Sequence, residues 1–108
     1  MKHILFDLKQ CLLTSPLDDE EYVKETLIEA AKIGKLEVLK VDTYKFEPHG
    51  VTGYALLAES HISIHTWPEK GTAAIDIYTC GECRPELGCH KIIDMLEAGH
   101  HKIGQIER

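Results

Sequence analysis

Apolar residues recur along this chain with two periods, and the switches between them mark out strands and helices. Residues 2–8 read as a short first strand. Ser15-Pro16-Leu17-Asp18 reads as a helix start, with Ser15 as cap and Pro16 in the first turn. Val23, Leu27, Ala30 and Ala31 then fall on one face at helical spacing, which predicts an amphipathic helix over 17–33, stopped at Gly34. The period shortens to two over 36–47, where Leu36, Val38, Leu39, Val41, Tyr44 and Phe46 predict a strand. Pro48-His49-Gly50 is a turn, and Val51, Tyr54, Leu56 and Leu57 predict a strand over 51–58. Residues 60–66 alternate again, Ile62 and Ile64 against His61, Ser63 and His65. Pro68-Glu69-Lys70-Gly71 is a turn and residues 72–79 a further apolar strand. Pro85 opens a second helix carrying Leu87, Ile92, Met95 and Leu96, with Gly99 as its stop and a last strand over 101–107.

The predicted order is therefore β-α-β-β-β-β-α-β. Hairpin-linked strands with a helix near each end imply an α+β fold, a mainly antiparallel sheet covered by two helices on one face. No internal repeat, linker or low-complexity tract interrupts it, and 108 residues suit a single domain.

Charge and composition narrow the function. A net charge of -6 argues against nucleic-acid binding, which calls for a basic face. No apolar run approaches the roughly 20 residues that span a bilayer, and the first apolar run is too short for a secretory leader. No membrane partner is expected. The expected location is cytoplasmic, with Cys11, Cys80, Cys83 and Cys89 reduced.

Polar chemistry concentrates between Thr52 and Cys83. Glu59-Ser60-His61-Ile62-Ser63-Ile64-His65-Thr66-Trp67-Pro68-Glu69 gathers acids, hydroxyls, two histidines and the only tryptophan, and Tyr78-Thr79-Cys80-Gly81-Glu82 follows. With perfect alternation Ser60 lies on the opposite face from His61, Ser63 and His65, unless a bulge or a chain end intervenes. The plainest reading is a half-exposed strand with polar residues outward. Two histidines four apart, His61 and His65, could instead bind a metal. Cys80-x-x-Cys83 with Cys89-His90 could suggest zinc or a redox pair, but the second pair is adjacent and Pro85 follows where a thioredoxin-like helix would already run.

The run Glu-Ser-His-Ile-Ser-Ile-His-Thr-Trp-Pro-Glu, followed by Ala-Ala-Ile-Asp-Ile-Tyr-Thr-Cys-Gly, resembles the signature of the prokaryotic S-adenosylmethionine decarboxylase proenzymes, which are pyruvoyl-dependent. The resemblance covers the chain from the first strand through the second helix. It implies an S-adenosylmethionine decarboxylase-like sandwich and autocatalytic cleavage of a zymogen between Glu59 and Ser60. The products would be a β chain, 1–59, and an α chain, 60–108. In this scheme the Ser60 hydroxyl attacks the Glu59 carbonyl, the ester so formed eliminates, and a covalent pyruvoyl group remains. His65 matches the processing base, and Thr52 stands where relatives carry a processing serine, its methyl group restricting rotation. The pyruvoyl group would take the substrate amine as a Schiff base, and Cys80 matches the proton donor. Phe46 and Trp67 match aromatic positions around the ligand, and Glu69 matches the acceptor of the ribose hydroxyls.

The resemblance requires no metal. It implies S-adenosylmethionine as substrate, with spermidine biosynthesis as its purpose, and a homodimer of cleaved αβ units. Two alternatives stay open. One is a pyruvoyl-dependent arginine or ornithine decarboxylase acting on a small amino acid. The other is a non-catalytic partner subunit, against which the presence of Ser60 and Cys80 speaks. His3, His49, His90, His100 and His101 are unassigned.

Overall fold

The computed structural model describes residues 1–80 and 83–108. Period-two stretches form six strands: β1 (Lys2–Cys11), β2 (Val38–Lys45), β3 (Val51–Leu57), β4 (Ser60–Trp67), β5 (Thr72–Thr79) and β6 (Ala98–Glu107). They join in one sheet of order β2-β3-β4-β5-β1-β6, every pairing antiparallel. The helices α1 (Glu20–Ile33) and α2 (Pro85–Met95) pack on one face. The predicted order of elements and the α+β class both hold.

The core is the helix-facing half of each alternation. Ile4, Phe6 and Leu8 of β1, Ile62 and Ile64 of β4, and Ile75 and Ile77 of β5 are buried against Val23, Leu27, Ala30 and Ala31 of α1 and Ile92 of α2. Glycine allows two close approaches. A Cβ at Gly53 would stand 3.2 Å from Leu27 Cδ1, and one at Gly88 3.1 Å from the Ala30 carbonyl oxygen. Gly53 thus admits α1 onto the sheet, and Gly88 admits α2 onto α1. The Tyr22 hydroxyl donates to the Met95 carbonyl at 2.7 Å, tying α1 to the end of α2.

Several boundaries depart from the sequence reading. β1 runs on to Cys11, because β6 supplies a partner as far as Cys11↔Ala98 and the Cys11 N–H donates to the Gly71 carbonyl at 3.1 Å. The first helix does not begin at Ser15. Residues Ser15–Asp18 form a 3-10 turn without a side-chain cap, and Asp19 is extended (φ -106°, ψ 107°). Asp19 is the true cap of α1, accepting from the Tyr22 N–H at 3.1 Å. The break is stabilised from outside: the buried Thr66 hydroxyl donates to the Leu17 carbonyl at 2.6 Å and accepts from the Val51 N–H at 2.9 Å. Gly34 does stop α1, with the left-handed residue displaced to Lys35 (φ 61°). α2 ends before Gly99. Glu97 (φ 48°) makes the turn, so β6 starts at Ala98 and Gly99 sits inside it, where a Cβ would meet the Gln10 carbonyl at 3.1 Å.

Leu27→Ala removes a fully buried side chain from the helix–sheet junction. It is expected to cost about 2–5 kcal/mol. Ile28→Ala, on the exposed side of the same helix, is expected to stay within about 0.5 kcal/mol. Urea midpoints of the two variants check the difference.

Candidate functional site

One group of predicted residues forms at the end of the β3–β4 hairpin. Leu57 pairs with Ser60, so the chain reverses through Ala58 and Glu59, and Glu59 is left-handed (φ 57°) without being glycine. Such a residue stores on the order of 1–3 kcal/mol of backbone strain immediately before the Ser60 amide. Ser60 is buried on the helix side of the sheet. Because β4 and β5 pair with His61 opposite Tyr78, Cys80 arrives just past the end of β5 beside Ser60. The Cys80 Sγ lies 3.9 Å from the Ser60 Oγ, and the Cys80 N–H donates to that oxygen at 3.4 Å. The Cys80 thiol also donates to Glu59 Oε2 at 3.5 Å. Glu59, Ser60 and Cys80 are therefore one cluster. Gly81 and Glu82 of the second motif lie outside the described residues.

A second group forms at the other end of the same strands. Thr52 and His65 are directly paired across β3 and β4, and the Thr52 Oγ1 lies 2.9 Å from His65 Nδ1. Beside them opens a cleft of about 390 Å³, lined by Phe46, Thr52, His65, Trp67 and Glu69 together with the Pro48–Gly50 turn. Its volume falls in the range of small-molecule sites. Phe46 and Trp67 are 45% and 40% exposed, so flat aromatic faces remain open to a ligand. His49 Nε2 lies 3.3 Å from Glu69 Oε1.

The two groups do not meet in one chain. Pairing runs unbroken from Leu57↔Ser60 to Thr52↔His65, so no bulge relaxes the alternation. Ser60, Ile62, Ile64 and Thr66 point to the helices, whereas His65 and Trp67 belong to the open face. Five residues at about 3.3 Å each put His65 roughly 16 Å from Ser60 along the strand.

The other cysteines have no such setting. Burial pushes the Cys89 thiol up to about 12 and raises that of Cys11, leaving both protonated and inert at neutral pH. All four cysteines are free. Among the described residues, Cys80, Cys83, Cys89 and His90 form no cluster of metal ligands, and His61 and His65, four residues apart on β4, stand about 13 Å apart along the strand.

Sequence reading missed the residues that hold the cleft. Asp18 Oδ1 accepts the Gly50 N–H at 2.7 Å and pairs with Lys45 Nζ at 3.0 Å, fastening the turn that carries His49 to the segment before α1. The Gly50 N–H, followed by Lys45, holds the Asp18 carboxyl below its ordinary range. No local signal marks this contact, since 32 residues separate the partners.

Residues 2–108 match the family described as S-adenosylmethionine decarboxylase. The chain is 44% identical over 108 residues to an S-adenosylmethionine decarboxylase proenzyme of Prochlorococcus marinus (strain MIT 9211), covering 99% of this chain and 88% of the relative. It is 50% identical over 103 residues to the proenzyme of the same name from Synechococcus sp. (strain WH7803), covering 94% and 80%. Among solved structures, the adenosylmethionine decarboxylase of Aquifex aeolicus superposes with a TM-score of 0.92 at 40% identity, covering 99% of this chain and 88% of that one. A Trypanosoma brucei AdoMetDC-delta26 monomer shares the fold alone, at TM-score 0.67 and 12% identity, covering 94% and 44%.

Asp18 yields a signed pH dependence. Its carboxyl is held low in the folded chain, so the stabilisation is present above the unfolded value near 3.9 and is lost as pH falls through the folded value. Asp18→Asn is expected to melt below the parent at pH 7, and the gap is expected to close progressively under about pH 4. Paired thermal melts across pH check it; a gap independent of pH would mean that the ionised carboxylate plays no part.

Proposed function

This chain belongs to the S-adenosylmethionine decarboxylase family, and we propose that it cleaves itself between Glu59 and Ser60 and decarboxylates S-adenosylmethionine with the pyruvoyl group left on residue 60. The product, decarboxylated S-adenosylmethionine, is the aminopropyl donor for spermidine synthesis. No described helix is long and apolar enough to cross a membrane, and the free cysteines suit the cytoplasm.

The observation that carries this reading is the contact between Ser60 and Cys80 behind a left-handed Glu59. In processing, the Ser60 Oγ forms a bond to the Glu59 carbonyl carbon and the Glu59–Ser60 amide bond breaks, giving an ester and a free amine. A base then removes the Ser60 α-proton, and the Glu59 carboxylate departs from Cβ. Water hydrolyses the resulting enamine, ammonia leaves, and the α chain starts with a pyruvoyl group. The strain at Glu59 favours attack on the amide that follows it, which resonance otherwise protects. The residues around Ser60 suit that group: the site is buried, and Cys80 is in contact with it. Once formed, the pyruvoyl carbonyl supplies an electron sink for the pair released with carbon dioxide. Cys80 holds the proton that returns to carbon. Phe46 and Trp67 stack on the adenine and shield the sulfonium, and Glu69 accepts from the ribose hydroxyls, with His49 orienting its carboxylate.

The remaining machinery comes from a second copy. His65 and Thr52 are roughly 16 Å along the strand from Ser60 and face away from it. The open sheet face exposes Leu5, Tyr44, Tyr54, Leu56 and Ile106, an apolar surface suited to burial against its twin. A two-fold axis lying between two such faces, across the strands, sets the Ser60 end of one protomer over the His65 end of the other. Each site then takes Glu59, Ser60 and Cys80 from one chain, and Thr52, His65, Phe46, Trp67 and Glu69 from its partner. Arginine or ornithine as substrate is not favoured by the Prochlorococcus and Synechococcus relatives, both named for S-adenosylmethionine.

Intact mass of the purified protein is expected to show fragments 1–59 and 60–108, the second with a pyruvoyl end, and Ser60→Ala is expected to stay whole. Carbon dioxide is expected from S-adenosylmethionine and not from arginine or ornithine; release from an amino acid alone would overturn the substrate. For the composite site, Ser60→Ala and His65→Ala chains are each expected to remain uncleaved alone. Co-expressed, the His65→Ala chain is expected to be cut in mixed dimers. No cutting in a proven mixed dimer would return both groups to one chain.

A further inference from the structure

Outside both groups, three titratable side chains from three strands meet on the open face. His3 of β1, His61 of β4 and Asp76 of β5 place one ligand atom each within 4.8 Å of one another. The imidazoles approach the same carboxylate oxygen: His3 Nε2 lies 2.7 Å and His61 Nε2 2.9 Å from Asp76 Oδ2. The register explains the convergence. Tyr78 pairs with His3 on one side and His61 on the other, and Asp76, two residues back on β5, keeps the same face and reaches both diagonally. The Ser63 hydroxyl donates to the other oxygen, Asp76 Oδ1, and fixes the carboxylate. The Tyr78 ring forms a wall, its centroid 5.4 Å from that of His3 and 5.9 Å from that of His61.

The geometry points to a divalent transition-metal site formed by His3, His61 and Asp76, separate from the processing and decarboxylation machinery. Two neutral imidazoles and a carboxylate suit Zn²⁺ and its first-row neighbours, and are a poor match for Mg²⁺ or Ca²⁺, which prefer oxygen. Tetrahedral coordination at about 2.0 Å separates donors by about 3.3 Å, so the 2.7 and 2.9 Å contacts need open only slightly. On binding, the two ring protons now shared with Oδ2 reside on Nδ1, and both Nε2 lone pairs and Oδ2 bind the ion, with water completing the shell. In the single protomer the side chains of His3, His61 and Asp76 are 20%, 42% and 23% exposed; the proposed dimer covers this face, so the ion would lie between the two sheets. Ser63 acts behind the ligands by orienting the carboxylate. The bound ion cross-links β1, β4 and β5 at the residue following Ser60, on the face of the sheet opposite to its hydroxyl.

The test uses the purified protein, stripped with chelator under reducing conditions. Calorimetric titration with Zn²⁺ is expected to show one ion per chain, and a roughly hundredfold excess of Mg²⁺ is expected not to displace it. Co²⁺ is expected to give a visible ligand-field spectrum without a thiolate charge-transfer band, which separates this site from the cysteines. His3→Gln and His61→Gln, on different strands, are each expected to weaken binding by more than about tenfold, and Ser63→Ala by about tenfold. Absence of stoichiometric binding in the parent would overturn the site, as would a thiolate band. So would unchanged affinity in whichever histidine variant folds.

Discussion

The unbroken antiparallel alternation of β3, β4 and β5 is the constraint on which the rest of this molecule depends. Two faces with different tasks follow from it. The residues Ser60, Ile62, Ile64 and Thr66 go under the helices, and their neighbours His61, Ser63, His65 and Trp67 go to the open face. A slip of one residue would exchange those sets, exposing two isoleucines and burying two histidines. Burial of the β-branched set against α1 and α2 therefore stabilises the fold and aims the chemistry at the same time. Gly53 and Gly88 matter here because they let the helices sit close enough to lock that register.

The same alternation separates the chemical groups. It delivers Ser60 to the buried side at one end of the sheet, beside Cys80, and His65 to the open side near the other end, beside Thr52 and the aromatic cleft. A strand is too stiff to bring residues five apart together. The division is a consequence of the backbone, and the two-fold assembly proposed above would resolve it without distorting either protomer. Gln10, Lys35, Glu59 and Glu97 are the left-handed non-glycine residues among those described, and of these Glu59 stands next to the bond that the proposed processing would break. The surrounding hairpin maintains this conformation through its pairing at Leu57 and Ser60.

The open face also brings together residues that have no common motif. His3, His61, Ser63, Asp76 and Tyr78 come from three strands and meet because β5 lies between β1 and β4. Burial raises the cost of the charged Asp76 carboxyl, but its hydrogen bonds with Ser63, His3 and His61 outweigh that cost and hold it ionised. Polar pairing of this kind satisfies the group on its own, and it also arranges the donor set a transition metal would use.

The sequence by itself determined the element order, the antiparallel α+β class and the family, because period-two and helical patterns are local and the Glu59–Glu69 run is contiguous. Its limits lay at boundaries set by distant partners. The 3-10 break at Asp18–Asp19 depends on the Thr66 hydroxyl, and the extension of β1 to Cys11 depends on β6. Ser60 with Cys80, and Thr52 with His65, were legible as candidates for one machinery through family resemblance. That they form two groups on opposite faces was decided by the tertiary structure, because only strand pairing fixes which residues stand across from one another. The roles of Asp18 at Gly50 and of Asp76 between two histidines were likewise invisible in the chain, since each joins segments whose proximity exists only after the sheet has closed.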